Sequence, residues 1–191
     1  MTTIVVVKKN GYAAIAADTL TKWGTVKESA VYIANHDKIL TVGNNYLAVA
    51  GGAAFKAILN EHFSRRGVPA RFRTAAEVFR TWNALHRALK DNYYLQPTED
   101  KEDPLESSRM DVLIANSSGI FGAAADRTVQ EFVKYYAFGS GADYALGLMY
   151  GIYDDPKRSA ENIARLAVEA AADFDDGTGL PVVSHAVKLR G

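Results

Sequence analysis

The chain has no cysteine. That excludes a disulfide-stapled secreted fold, a thiol nucleophile and a zinc site built on thiolates. Histidine is sparse: His36, His62, His86 and His185 lie far apart, and no two have the spacing that sets a pair of imidazoles on one helix face. Each reads as a packing or surface residue, so neither a metal nor another cofactor is expected. An excess of one charge is lacking too. The 22 basic and 22 acidic side chains cancel, without a long basic run, so nucleic acid is not an expected partner. No apolar run approaches the roughly 20 residues that span a bilayer. No basic segment followed by an apolar core marks a signal peptide. No membrane association is expected, and the expected location is the cytoplasm.

What is present is an ordinary soluble composition, 48% apolar and 23% charged over 191 residues. That is enough chain to bury a full core, and residues 1–191 are expected to form a single domain. The absence of net charge gives little protection against association, which suits a protein that assembles.

The first half reads as strands. Thr3 to Val7 is a β-branched run, Asn10-Gly11 is a strong hairpin signal, and Tyr12 to Ala17 is a second apolar strand closed by Asp18. The hairpin therefore returns Asp18 to the side of Thr2. Val31 to Ile33, Ile39 to Val42 and Tyr46 to Ala50 read as further strands, with a turn at Gly43-Asn44-Asn45. The periodicity of Phe55, Ile58, Leu59 and Phe63 predicts a helix over 53–66, broken by Gly67 and Pro69. Val78, Phe79, Trp82, Leu85 and Leu89 predict another over 74–94. Residues 96–109 are polar and read as an exposed loop. Strands are predicted at 111–115, 120–124 and 135–138, and a helix over 142–153. A further helix starts at Asp155-Pro156 and carries the stripe Ile163, Leu166, Ala167, Ala170, Ala171 and Phe174, ended by Asp176-Gly177. A last strand runs from Pro181 to Leu189. Strands, two helices, strands, two helices and a strand make an α+β protein. A four-layer αββα sandwich, two antiparallel sheets face to face with helix pairs outside, uses every apolar face.

The chemistry starts at Met1-Thr2-Thr3. Beside its small side chain, the initiator methionine is removable, which leaves Thr2 with an α-amine and a β-hydroxyl on one residue. A hydroxyl needs a base to attack at neutral pH. An α-amine, with a reference pKa of about 7.7–8.0, is suited to that task. Asp18, at the end of the paired strand, can fix a cation near Thr2; otherwise it is a turn residue. Lys38, directly before an apolar strand, is the candidate cation, which would favour the neutral amine and a developing alkoxide. Ala50-Gly51-Gly52, between a strand and a helix, offers outward N–H groups to an oxyanion.

Together these segments resemble the proteasome β-subunit and HslV peptidase family, most closely a short bacterial proteasome-like homologue. The resemblance rests on the stretch from Thr2 to Gly11, Ala16-Ala17-Asp18, Lys38-Ile39-Leu40, Ala50-Gly51-Gly52, Gly139-Ser140-Gly141 opening a helix, and Asp175, Thr178 and Gly179. It covers nearly the whole chain with the motifs in order. It implies the N-terminal-nucleophile hydrolase sandwich and a threonine endopeptidase, with Thr2 as nucleophile and its amine as base. Asp18 and Lys38 would polarise it, the Gly51 N–H would bind the oxyanion, and Ser140, Asp175 and Thr178 would relay protons around the amine. Thr21, Val49 and Ala53 are candidate substrate contacts, and Val49 and Ala53 would make the specificity pocket apolar. Unfolded polypeptides or peptides are the implied substrates. The implied assembly is a homo-oligomeric stacked double ring, a 14-mer with a 12-mer as alternative, fed by an ATP-dependent unfoldase if any. The chain departs from the family's pattern in three places. The stretch from Asp18 to Lys38 is longer, which leaves Lys22 and Lys27 as substitutes for Lys38. Position 178 is threonine where serine is common. Only one methionine precedes Thr2. Two other readings stay open, a structural ring subunit with little activity and a small-amide hydrolase of the same nucleophile class. Tyr93, Tyr94, Tyr150 and Tyr153, near helix ends, serve either inter-subunit contacts or core packing.

Overall fold

The structure, a computed structural model, describes residues 2–97 and 104–190. Met1, whose removal was expected, and residues 98–103 of the polar loop lie outside the described residues.

β1 (Thr3–Lys9) and β2 (Tyr12–Asp18) form the expected hairpin, with Ile4 opposite Ala17. Asn10 and Gly11 both take positive φ, 50° and 77°, the backbone that a two-residue hairpin turn demands. β10 (Tyr135–Gly139) flanks β1, and β11 (Val182–Lys188) flanks β2, giving the order β10-β1-β2-β11 with all pairs antiparallel. A second antiparallel sheet has the order β5 (Ile39–Val42), β6 (Asn45–Gly51), β7 (Met110–Asn116), β8 (Gly119–Ala123) and β9 (Val129–Phe132).

The two sheets pack through Ile4, Val6, Ile15, Leu113 and Ile120, all fully buried. Val5, Val7, Ala14 and Ala16 point the other way, under α3 (Ala142–Ile152) and α4 (Ala160–Phe174). With both faces covered, β1 reads as a continuous β-branched run rather than an alternation. Beyond the second sheet, α1 (Ala54–Ser64) and α2 (Ala75–Tyr93) cover Leu47, Val112 and Ile114. α2 starts where Thr74 accepts the Glu77 N–H and Glu77 accepts the Arg73 N–H, a reciprocal cap. Its Val78, Trp82, Leu85 and Leu89 are fully buried, each worth about 1.5–3 kcal/mol relative to exposure. The αββα sandwich is thus the fold.

Two local expectations are corrected. Residues 31–33 are turns, not a strand, and Val31 and Tyr32 are 83% and 85% exposed. They face no sheet edge, so β-type side chains alone do not make a strand there. α4 begins at Ala160, not at Asp155-Pro156, because Ser159 caps it by accepting the Asn162 N–H at 3.1 Å, while Asp155 closes a separate turn on Lys157 N. The sequence reading also had no counterpart for β9 or for the hairpin of β3 (Thr21–Trp23) and β4 (Val26–Glu28).

Candidate active site

Thr2 sits at the open end of the β1–β2 hairpin, which sets Asp18 beside it. Lys38 enters from the loop before β5. Its Nζ donates to Thr2 Oγ1 at 2.6 Å and to Asp18 Oδ1 at 2.7 Å. The longer stretch between Asp18 and Lys38 is taken up by the β3–β4 hairpin and the turns after it. The two other lysines lie elsewhere: Lys22 pairs with Asp176, and Lys27 stands opposite Lys22 in the hairpin.

Asp18 is fully buried and held by four donors. Oδ1 accepts Thr3 N at 3.0 Å as well as Lys38, and Oδ2 accepts Leu20 N at 3.0 Å and Gly179 N at 3.1 Å. Burial pushes the Asp18 carboxyl above its ordinary range and the Lys38 ammonium below its own, while each charge and its hydrogen bonds oppose those shifts. The result is a buried ion pair whose ammonium is aimed at the threonine hydroxyl and is easier to deprotonate than an ordinary lysine.

On the other side of Thr2, its N donates to Ser140 Oγ at 3.3 Å. Ser140 Oγ donates to Asp175 Oδ2 at 2.7 Å, and Thr178 Oγ1 donates to the same oxygen at 2.5 Å. With the Thr178 proton spent there, the 2.5 Å contact between Thr3 Oγ1 and Thr178 Oγ1 takes its proton from Thr3. Glycine is required twice in this turn. A Cβ at Gly139 would stand 1.9 Å from Thr2 O, and one at Gly141 would stand 2.3 Å from Thr3 Oγ1. The Gly-Ser-Gly segment is therefore shaped by how closely β10 and α3 approach β1.

Thr2, Asp18, Lys38, Ser140, Asp175 and Thr178 thus converge on one place. Gly51 ends β6 and lines a cavity of about 580 Å³ together with Thr2, Lys38 and the three expected substrate contacts, Thr21, Val49 and Ala53. That cavity is less apolar than expected. Lys22, Lys56 and Asp37 share its wall, and Lys56 Nζ donates to Asn35 O. The turns at 29–37, read as partly strand, carry some of these groups. Thr3 joins the site without having been anticipated. A second threonine beside the first was the only signal for it.

No family model matches the sequence. Solved structures do. Thiobacillus denitrificans BPH in complex with epoxomicin is 56% identical, with a TM-score of 0.94 over 99% of this chain and 100% of that one. A second structure of Thiobacillus denitrificans BPH is 57% identical, with a TM-score of 0.94 over 98% of each chain. The chain belongs to the family of this bacterial proteasome homologue. HslV from Trypanosoma brucei shares the fold at 17% identity, with a TM-score of 0.71 over 97% of this chain and 99% of that one. As a member of the bacterial proteasome homologue family, the chain is a proteasome-type subunit. No helix among the described residues is long and apolar enough to cross a membrane.

Proposed function

We propose that this chain is the threonine endopeptidase subunit of a self-compartmentalised ring protease, acting through Thr2 once Met1 is removed. The observation that carries the reading is the Lys38 ammonium, 2.6 Å from Thr2 Oγ1 and fixed by Asp18. In the proposed reaction the free Thr2 amine takes the hydroxyl proton as Oγ1 attacks the peptide carbonyl carbon. Lys38 offsets the alkoxide charge that develops. The carbonyl oxygen becomes an oxyanion facing the Gly51 N–H. The C–N bond then breaks, and the proton on the Thr2 amine passes to the departing nitrogen, leaving an ester on Oγ1. Water, deprotonated by the same amine, hydrolyses the ester and restores Thr2. Ser140 and Asp175 hold the amine in place through both halves.

A ring suits this chemistry, because enclosure keeps the sites from folded proteins, and one repeated heterologous contact closes into a ring. Tyr94 and Tyr150 are 86% and 83% exposed near helix ends, which favours their use in contacts between copies. Tyr93 and Tyr153 instead bond internally, to Glu61 and to Lys8 O. A stacked double ring, a 14-mer or the alternative 12-mer, and an ATP-dependent unfoldase as feeder belong to the same proposal.

The test joins three measurements on the purified chain: intact mass, native mass spectrometry and hydrolysis of fluorogenic peptides. The expected result is loss of Met1, a closed ring and hydrolysis blocked by epoxomicin. Retention of Met1 on the assembled protein refutes the amine-base mechanism. A stable monomer refutes the ring and leaves a small-amide hydrolase.

A further inference from the structure

The cleft continues past Thr2 on its far side, and that half is electrically different from the first. A cavity of about 450 Å³ is lined by Thr2, Gly51, Ser140, Arg109 and Asp111. It shares only Thr2 and Gly51 with the cavity that holds Val49 and Ala53, so the two lie on either side of the nucleophile. Ser140 lines the far cavity alone, and it binds the Thr2 nitrogen that returns a proton to the departing amine. The far cavity therefore takes the leaving-group side of the peptide. An adjoining cavity of about 450 Å³ shares Asp111 and Ala125 with it and adds Asp126, Gln130, Tyr136 and Phe138. The groove thus leads from the nucleophile, past one carboxylate, to a second carboxylate and two aromatic rings.

Asp111 stands at the junction. It lies opposite Ala50 in the β6–β7 ladder and is half-buried, and its Oδ1 accepts the Ala125 N–H at 3.0 Å. Burial and the nearby Asp126 charge both work against its ionised form. A cation in the groove offsets both. The near cavity, by contrast, carries three lysines, Lys22, Lys38 and Lys56, against two carboxylates, Glu28 and Asp37, with Lys22 and Lys38 paired to Asp176 and Asp18. Arg109, exposed at the rim, adds a single positive charge to the far groove.

We infer that Asp111 makes the leaving-group side selective for a lysine or arginine among the first residues after the scissile bond. This rests on the peptidase reaction proposed above. The test uses internally quenched peptides that differ only in carrying Lys or Gln at the first two positions after the cleaved bond, with the cut mapped by mass spectrometry. The assembled wild-type protein is compared with Asp111→Asn, which keeps an oxygen for the Ala125 N–H. Wild type is expected to favour the lysine peptide by about fivefold in kcat/KM, and less at high salt, as for a partly exposed ion pair. Asp111→Asn is expected to lose that preference, so that the two peptides are cut at equal kcat/KM. Should Asp111→Asn unfold, Asp126→Asn reads the same groove from its far end and is expected to lower the preference. Equal wild-type rates on both peptides, or a preference that survives these substitutions, overturn the assignment and leave the peptidase standing. If wild type is no faster than Thr2→Ala on either peptide, the reaction falls and the assignment with it.

Discussion

Thr3 Oγ1 and Thr178 Oγ1 meet at 2.5 Å across a sequence separation of 175 residues. Their contact continues through Asp175 to Ser140 and the Thr2 nitrogen, so a hydroxyl on the residue after Thr2 helps to set the position of that nitrogen. Thr178→Val removes two links of that chain and is expected to lower kcat by about tenfold with KM nearly unchanged, because the loss falls on positioning rather than on binding. Thr178→Ser is expected to restore most of the rate. Steady-state kinetics on one peptide decide it. A Thr178→Val enzyme with wild-type kcat leaves the chain without a part in the reaction.

Thr2→Ala is expected to abolish peptide hydrolysis and leave the oligomer intact, since the proposed reaction uses the side chain and none of the apolar clusters includes it. Thr2→Ser keeps both hydroxyl and amine and is expected to retain measurable activity. Hydrolysis by Thr2→Ala at the wild-type rate points to another nucleophile.

Lys38 and Asp18 are expected to act as one unit. Lys38→Met and Asp18→Asn each cost most of the activity, and the double variant loses little more. Stability separates the variants further. Lys38→Met strands a buried carboxylate and is expected to cost about 3–5 kcal/mol, and the double variant is expected to recover only part of that, because it removes the charge but turns an amide NH2 toward a backbone N–H that Asp18 accepted. The pH slope follows from the sign of the shift. Asp18 already titrates above its ordinary range, and without Lys38 it rises further. A raised folded pKa adds stability that is complete below the unfolded value and is lost as pH rises through the folded one. Lys38→Met should therefore recover stability, relative to wild type, between about pH 7 and about pH 5. Urea unfolding at the two pH values measures this. A deficit that grows on acidification contradicts it.

Two glycine substitutions are expected to have opposite effects. Gly139→Ala places a Cβ 1.9 Å from Thr2 O, at a residue with φ of 102°. It is expected to displace Thr2, lower the melting temperature and remove activity. Gly147, inside α3, has nothing within 4 Å of its added Cβ. Gly147→Ala is expected to gain about 0.5–1 kcal/mol from helix propensity and leave activity unchanged. Thermal unfolding of both variants checks the pair.

The parts of the fold that were legible in the sequence are those with strong local signals. Asn10-Gly11 between apolar runs fixed the first hairpin, and that hairpin alone brings Asp18 to Thr2. The periodicity of Val78, Trp82, Leu85 and Leu89 likewise reports a helix that buries one face. What escaped depends on partners far along the chain. β9 and the β3–β4 hairpin are too short to show a period. Val31 to Ile33 has strand-type side chains and no neighbouring edge to bond. The place of Thr3 in the site exists only because Thr178 comes back to it. The charged wall of the near cavity comes from Lys22 on β3, Lys56 on α1 and Asp37 in the turns between, elements whose convergence no local pattern announces.

The scattering of the site along the chain sets when it can exist. Thr2 and the carboxylate on β2 precede Asp175 and Thr178 by more than 150 residues, and these two lie just before β11, where the backbone of Gly179 supplies one of the donors to Asp18. A nascent chain that has not yet reached residue 175 has the proposed nucleophile and no seat for its amine. On the proposed reaction, activity is thereby tied to the docking of β11: until that strand lies beside β2 the proposed centre is not assembled, so a partly folded subunit would not attack its neighbours.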